Sequence, residues 1–410
     1  MTKIADQELA SDGERNFQWA RAHMGALTTL AQKRSRGRPL EGVTLGVCLH
    51  VTKETSVLVD VLLNAGADVK LSGANPLSTQ DDVAAYLSTR TEVWAWRGQS
   101  PREYAWCIGQ VLAAGPTQLV DDGADLHVAA HRSRAKSVVG GSEETTTGVV
   151  RLRALEADGK LAYPVVAVNE ARTKFLFDNR HGTGQSTLDG IMRATALLLA
   201  GMKVVVVGYG WVGKGVAMRS RGMGAIVRVV EVDPVRAVEA RLEGFEVTSI
   251  EEAAPWGHLF ITATGQKNVV PYDAIVRMKE GAILANAGHF DVEIDVRALM
   301  SKAKSVREVR PHVDEVRLPG GGKVYLVGKG RIANLVAAEG HPPEVMQMSF
   351  ANQFLAALRV HRGHRDMEPK VYGVSKEDEE EVARAALKSM GVRIGAQTEE
   401  QRKYAKSWEA

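Results

Sequence analysis

Apolar residues fall along this chain in short unbroken runs, separated by longer stretches where they recur at helical spacing. Runs of that length, too short for helices and apolar on both faces, predict strands of a parallel sheet buried on each side. Val43–Leu49, Ala67–Ser72, Thr91–Trp96 and Gln118–Val120 read this way. Helical patterns lie around them, from Asp12 to Gln32, from the Thr55 region to Asn64, and from Arg102 to Leu112. Such alternation predicts an α/β domain with a parallel sheet. A second series follows at Val204–Val207, Ile226–Val230, Leu259–Thr262, Ala282–Asn286 and Val324–Val327. The fold class expected is therefore α/β, two doubly wound parallel-sheet domains. Glycine-rich and polar stretches at Arg180–Gly184 and Gly340–Pro343 read as linkers, and a helix is expected from Glu344 to His361. The charged stretch after Ser375 reads as two exposed helices.

In open parallel sheets ligands collect beyond the carboxyl ends of strands. Polar clusters stand at such ends: His50–Thr55, Asn75–Asp82 and Asp121–Asp125, followed by Ser142–Gly148 and Asn169–Asn179. The most specific signal follows the valine run. Gly208, Gly210 and Gly213 form G-x-G-x-x-G, with a helix expected from about Val212 to Met223 and a second strand closed by Glu231. Glycines there allow a tight turn, close approach of backbone to a pyrophosphate, and packing of helix on strand. An acid about 20 residues on accepts hydrogen bonds from a ribose and repels a 2′-phosphate, so NAD is expected rather than NADP. The later strands end in Thr264-Gly265 and Asn286-Ala287-Gly288-His289, where the nicotinamide would lie.

Composition narrows the class without changing it. The 410 residues are 45% hydrophobic and 25% charged, with a net charge of +3. That balance, and the absence of a dense basic run, argues against a nucleic-acid partner. Lys33–Arg38 reads as a solvated loop. The two cysteines, Cys48 and Cys107, provide neither a disulfide framework nor a cysteine-rich metal site. No targeting segment and no apolar run of about 18 residues is present, so a cytoplasmic protein away from membranes is expected.

Four stretches together resemble S-adenosylhomocysteine hydrolases: Cys48-Leu49-His50-Val51-Thr52-Lys53-Glu54-Thr55, Ser142-Glu143-Glu144-Thr145-Thr146-Thr147-Gly148, Gly288-His289-Phe290-Asp291-Val292-Glu293-Ile294-Asp295, and Asn352-Gln353. The similarity runs from about Trp19 to Tyr404. It implies reversible cleavage of S-adenosylhomocysteine to adenosine and homocysteine in the methylation cycle, with tightly bound NAD regenerated each turnover and a homotetramer as the assembly. It also implies a substrate domain of residues 1–179 and 343–374, an NAD domain of 180–342 between two hinge connections, and a tail of 375–410. No metal is implied.

By the resemblance, Lys174 and Asp178 flank the ribose 3′-hydroxyl, and Lys174 serves as its base only if its pKa is depressed. Asp122 and His50 handle the 5′ side and the C4′ proton, while Glu144 holds a ribose hydroxyl. Thr52, Glu54 and Gln80 read the adenine edge, His341 closes over it, and His289 sits where cofactor and ribose meet. Thr145, Thr146, Thr147, Asn179 and Asn334 contact the nicotinamide, near Thr264, Ala287 and Gly288. Gly208, Gly210, Trp211, Val212, Gly213, Lys214, Gly215, Glu231 and Arg236 hold the adenosine half. Trp211, Arg236 and Thr183 replace an aspartate, an asparagine and a cysteine found in many relatives, so Trp211 is expected to point away from the phosphates. The short ending resembles that of archaeal and some bacterial members and lacks the lysine and tyrosine that reach a neighbouring subunit in others. Rival readings are a hydrolase of S-inosylhomocysteine, an NAD-dependent dehydrogenase with net redox turnover, and an inactive NAD-binding relative.

Overall fold

The computed structural model describes residues 2–408. The first part of the chain contributes β1 (Thr44–Leu49), β2 (Asp68–Gly73), β3 (Glu92–Trp94), β4 (Gln118–Asp121), β5 (Gly140–Glu143) and β6 (Val165–Ala167). The middle contributes β7 (Lys203–Val207), β8 (Ile226–Val230), β9 (Glu246–Thr248), β10 (Leu259–Thr262) and β11 (Ala282–Asn286). It continues with β12 (Ser305–Arg310), β13 (Val313–Arg317) and β14 (Lys323–Val327), and β15 (Val371–Gly373) comes last. Among the described residues these strands form two sheets, ordered β15-β6-β5-β4-β1-β2-β3 and β12-β13-β14-β11-β10-β7-β8-β9.

The first sheet is parallel throughout. Its central strand is apolar on both faces: Leu45, Val47, Cys48 and Leu49 are all buried. The chain returns to it after residue 340 through the helix Pro343–Gly363. Met348, Phe350, Ala351, Phe354 and Leu355 of that helix share one core with Leu45, Val47 and Leu58. In each sheet the strand order reverses beside a central strand, β1 in one and β7 in the other, which opens a crevice at the carboxyl ends.

Several expectations need correction. The second sheet is mixed, because β12, β13 and β14 pair antiparallel at one edge. The outer strand of that meander, β12, is mostly exposed and polar, so it carries no apolar run to betray it. The N-terminal helix is two, Ala10–His23 and Gly25–Arg34, broken at Met24. β5, a Gly-Gly-Ser-Glu strand, was not legible as one. A Cβ on Gly140 would lie 2.5 Å from Val360, and one on Gly141 would lie 2.6 Å from the Leu119 carbonyl, so neighbouring elements leave no room for side chains there.

The stretch 180–184 is not an irregular linker. Residues 172–195 form one helical run that widens to a π-helix over Phe175–Gly182 and continues as Thr183–Thr195. Its glycines mark close packing rather than flexibility: a Cβ on Gly182 would lie 2.9 Å from Val345, and one on Gly184 would lie 2.6 Å from the Gly215 carbonyl carbon. π-Helical segments of this kind are often found at functional sites. The first tail helix, Lys376–Ser389, is not simply exposed either, since it buries Val382 and Ala386. Glu381 of that helix binds Lys33 and Arg34, which end a helix rather than lie in a solvated loop. Among the described residues no helix is long and apolar enough to cross a membrane.

Candidate active site

A cavity of about 1140 Å³ opens where the carboxyl ends of the two sheets face one another. From the first sheet it receives His50 after β1, Asp122 after β4, Glu144 after β5 and Asn169 after β6. The π-helical run supplies Lys174, Asp178 and Asn179, and the second sheet supplies Gly208, Glu231, Thr264 and His289.

Two charged centres lie inside it. In the first, the Lys174 ammonium bonds to Asp178, donates to Asn179 Oδ1 at 2.7 Å, and sits 3.6 Å from Glu144 Oε1. One wide turn of the π-helix is what brings Lys174, Asp178 and Asn179 together. Asp178 also pairs with His341 Nδ1, whose Nε2 lies 3.1 Å from the Thr183 hydroxyl. Glu144 accepts from Ser349 and, at 2.6 Å, from Gln353 Nε2. Burial pushes Glu144 up to about 7, with Lys174 opposing. For Asp178 burial acts upward, but Lys174 and then His341 outweigh it and hold the carboxyl well below its ordinary range. For Lys174 burial acts downward, but Asp178 and then Glu144 outweigh it, so its pKa is raised. The depressed lysine that a neutral-amine base would require is not what this geometry produces.

In the second centre Asp122 stands between two imidazoles, its oxygens 3.6 Å from His50 Nε2 and 3.6 Å from His289 Nδ1. Those separations are too long for hydrogen bonds, and the buried Asp122 Oδ1 accepts no hydrogen bond among the described residues. His50 Nδ1 lies 2.7 Å from the Ser78 hydroxyl. Burial lowers His50 to about 4 against the attraction of Asp122, so it is neutral at physiological pH.

Thr52 and Glu54 also line the cavity, and the buried Glu54 Oε1 lies 3.4 Å from Lys53 Nζ. Gln80 does not line it. Its amide oxygen accepts from the Lys53 backbone at 3.0 Å and its nitrogen donates to the Glu339 carbonyl, so it caps the Lys53–Asn64 helix instead of reading a purine edge. His341 lines the cavity too, but its partners belong to the Lys174–Asp178 centre.

The dinucleotide end can be tested against NAD directly. The helix Trp211–Gly222 begins at Gly210 with no side-chain cap, leaving its first N–H groups free for an anion. A Cβ on Gly210 would meet nothing nearer than Arg236 Nη1 at 3.8 Å, so this glycine presents bare backbone to the cavity. Glu231 Oε2 accepts from the Tyr209 backbone at 2.7 Å, and Oε1 accepts from Val232 and Asp233, which fixes an acidic wall beside that cradle. Asn334 Oδ1 is buried on the lining and accepts no hydrogen bond among the described residues, an acceptor suited to a carboxamide. The residues present fit NAD.

Trp211, Val212, Arg236, Ala287 and Gly288 line the cavity, with Trp211 stacked on Phe175 at 5.1 Å. Gly213, Lys214 and Gly215 do not. A Cβ on Gly213 would run into the Gly208 carbonyl, and one on Gly215 into that of Arg180, while Lys214 binds Glu239 at 2.6 Å. These three pack the loop against its neighbours. Thr145, Thr146 and Thr147 line the cavity, although the Thr145 hydroxyl is spent on Glu143 and on capping the helix Thr146–Ala157. Sequence reasoning missed Ser349, Arg151 and Phe290. Ser349 had a signal: with Asn352 and Gln353 it breaks an apolar helix on one face.

Residues 1–139 match the family model described as S-adenosyl-L-homocysteine hydrolase, and residues 179–340 match the one described as S-adenosyl-L-homocysteine hydrolase, NAD binding domain. The chain is 55% identical over 410 residues to an adenosylhomocysteinase of Aeropyrum pernix, covering 99% of both chains. It is 52% identical over 412 residues to one of Saccharolobus solfataricus, covering 100% of this chain and 99% of the other. An S-inosyl-L-homocysteine hydrolase of Methanocaldococcus jannaschii is 49% identical over 412 residues, with the same coverage.

Proposed function

The chain belongs to the S-adenosyl-L-homocysteine hydrolase family, and from that premise we infer that it reversibly cleaves S-adenosylhomocysteine to adenosine and homocysteine with NAD. The observation that carries this reading is the meeting of both charged centres and the dinucleotide cradle in one cavity. Simple hydride exchange on an alcohol needs one such centre; a thioether carbon that resists water needs two.

Bound NAD supplies the oxidant for the ribose 3′-carbon and returns the reducing equivalent at the end of the cycle. Gly208, Gly210, the free end of helix Trp211–Gly222, Glu231 and Asn334 would hold it. Lys174, charged between its two carboxylates, donates to the 3′-oxygen and stabilises negative charge developing there. Glu144 titrates near neutral pH, about 7, and is the group in that centre suited to accept the 3′ proton. At the ketone level the C4′ proton is acidic, and neutral His50 can take it as the C5′–sulfur bond breaks. Asp122 and His289, on the same side, hold a proton for the leaving thiolate and orient the water that adds to C5′. His341 ties Asp178 to the chain connection at Gly340–Pro342 and excludes water from the ketone.

The domain reading also belongs here: 1–179 with 343–374 as the substrate domain, 180–342 as the NAD domain, and 375–410 as a tail. Return of β15 and helix Pro343–Gly363 to the first sheet supports it. A homo-oligomer, a tetramer by the resemblance, in the cytoplasm completes the proposal. The exposed stripe Val235, Val238 and Leu242 on one helix is the sort of surface an assembly covers. Incubation with S-adenosylhomocysteine and detection of free thiol tests the reading; no thiol from protein that carries NAD would refute it.

A further inference from the structure

We propose that Arg151 receives the α-carboxylate of the homocysteine moiety and so sets specificity for an amino-acid thiol; this rests on the proposed hydrolase reading. Three permanent cations line the cavity among the described residues: Arg151, Lys174 and Arg236. Lys174 is enclosed by Asp178, Asn179 and Glu144. Arg236 stands over Gly210 at the dinucleotide end. Arg151 projects from the helix Thr146–Ala157 beside the Asp122 centre, where its Nη1 bonds to the Gly123 carbonyl and to Asp125 Oδ1 at 2.8 Å. Its guanidinium lies 5.5 Å from the centroid of Phe290, the residue after His289.

These bonds use Nη1 alone. No acceptor is found for Nε or Nη2 among the described residues, and the side chain is 31% exposed. The Nε–Nη2 edge is the planar fork that binds a carboxylate bidentately. Asp125, Gly123 and Phe290 fix the rest of the group, so the fork is held without a ligand. A substrate whose 5′-carbon sits at Asp122 must send its sulfur and side chain outward from that centre. Its carboxylate there needs a partner, and Arg151 is the cation not already enclosed.

The test compares two thiols in the synthetic direction with adenosine: homocysteine and 3-aminopropane-1-thiol, which is homocysteine without its carboxylate. One charge-assisted bidentate pair corresponds to about ten- to hundredfold. Native protein should therefore favour homocysteine by that factor in kcat/KM, and Arg151→Gln should bring the ratio close to one through a raised KM for homocysteine. Arg151→Lys, which keeps the charge without the fork, should fall between. No discrimination by the native protein, or an undiminished ratio in Arg151→Gln, would overturn the proposal. Should Arg151→Gln not fold, the native ratio and Arg151→Lys still decide. Native protein that joins neither thiol to adenosine would instead refute the hydrolase reading.

Discussion

Replacing Lys174 by alanine separates the chemistry of the first centre from its electrostatics. The side chains of Lys174, Asp178 and Glu144 are 6%, 3% and 5% exposed, so removing the ammonium strands two carboxylates away from water. Breaking such a buried pair costs about 3–5 kcal/mol of stability. Loss of a preorganised donor to a developing oxyanion costs about 10²- to 10³-fold in rate, roughly 3–4 kcal/mol of barrier. The two losses differ in their response to pH. Asp178, whose pKa is depressed, contributes stability above its unfolded value of about 3.9 that is lost as pH falls through the folded value. Lys174, whose pKa is raised, contributes stability below about 10.4 that is lost as pH rises through the folded value. Without Lys174 its own contribution vanishes, and that of Asp178 falls because only His341 still pairs with it. Buried Glu144 loses the cation that opposes its burial, so carboxylate ionisation costs more of the fold as pH rises. The deficit of Lys174→Ala against native protein should therefore be wide near neutral pH and shrink toward acid. Denaturant titration at several pH values measures it. Single-turnover absorbance of reduced nicotinamide after mixing with adenosine measures the rate, which should stay low at every pH. A rate loss below about tenfold, or a deficit that grows toward acid, would refute the reasoning.

Oxidation of bound adenosine should rise with pH through an apparent pKa of about 7, and Glu144→Gln should flatten that profile; a native profile without the inflection would remove Glu144 as the proton acceptor. Adenosine should reduce bound NAD at least about tenfold more efficiently than inosine, because the buried Glu54 carboxylate on the cavity wall can accept from an amine and not from a carbonyl; equal efficiency, or a preference for inosine, would move the substrate toward the inosyl thioether. His341→Ala should weaken adenosine binding by about 10- to 100-fold with little loss of bound NAD, since its bonds are to Asp178 and Thr183. Solution scattering should then show no adenosine-induced compaction in that variant, whereas native protein starting in an open form should compact.

What the sequence revealed was whatever leaves a local mark. Val204–Val207 with its glycines, and strands such as Leu259–Thr262, are buried on both faces and so read as apolar runs. The functional clusters could be found because strand ends collect ligands, and His50, Asp122 and Glu144 all stand at such ends. What stayed hidden depends on contacts distant in sequence. Gly140 and Gly141 sit in a strand because Val360 and Leu119 press on them, and no local pattern reports that. Gly182 and Gly184 looked like a flexible joint for the same reason, although they let a helix lie against residues far along the chain. Gln80 matched a motif by type, but the free end of the neighbouring helix claims its amide. Lys174 illustrates the limit most plainly: its position and its neighbour Asp178 were legible, but its charge state depends also on Glu144, which reaches it from the end of a distant strand.

The central claim is that one cavity oxidises, eliminates, hydrates and reduces without net redox change. Purified protein, its NAD content known, is incubated with S-adenosylhomocysteine while free thiol and reduced nicotinamide are followed together. Thiol should accumulate over many turnovers, with reduced nicotinamide never exceeding the protein present. Reduced nicotinamide produced in proportion to substrate consumed, or bound NAD with no thiol released, would contradict the account.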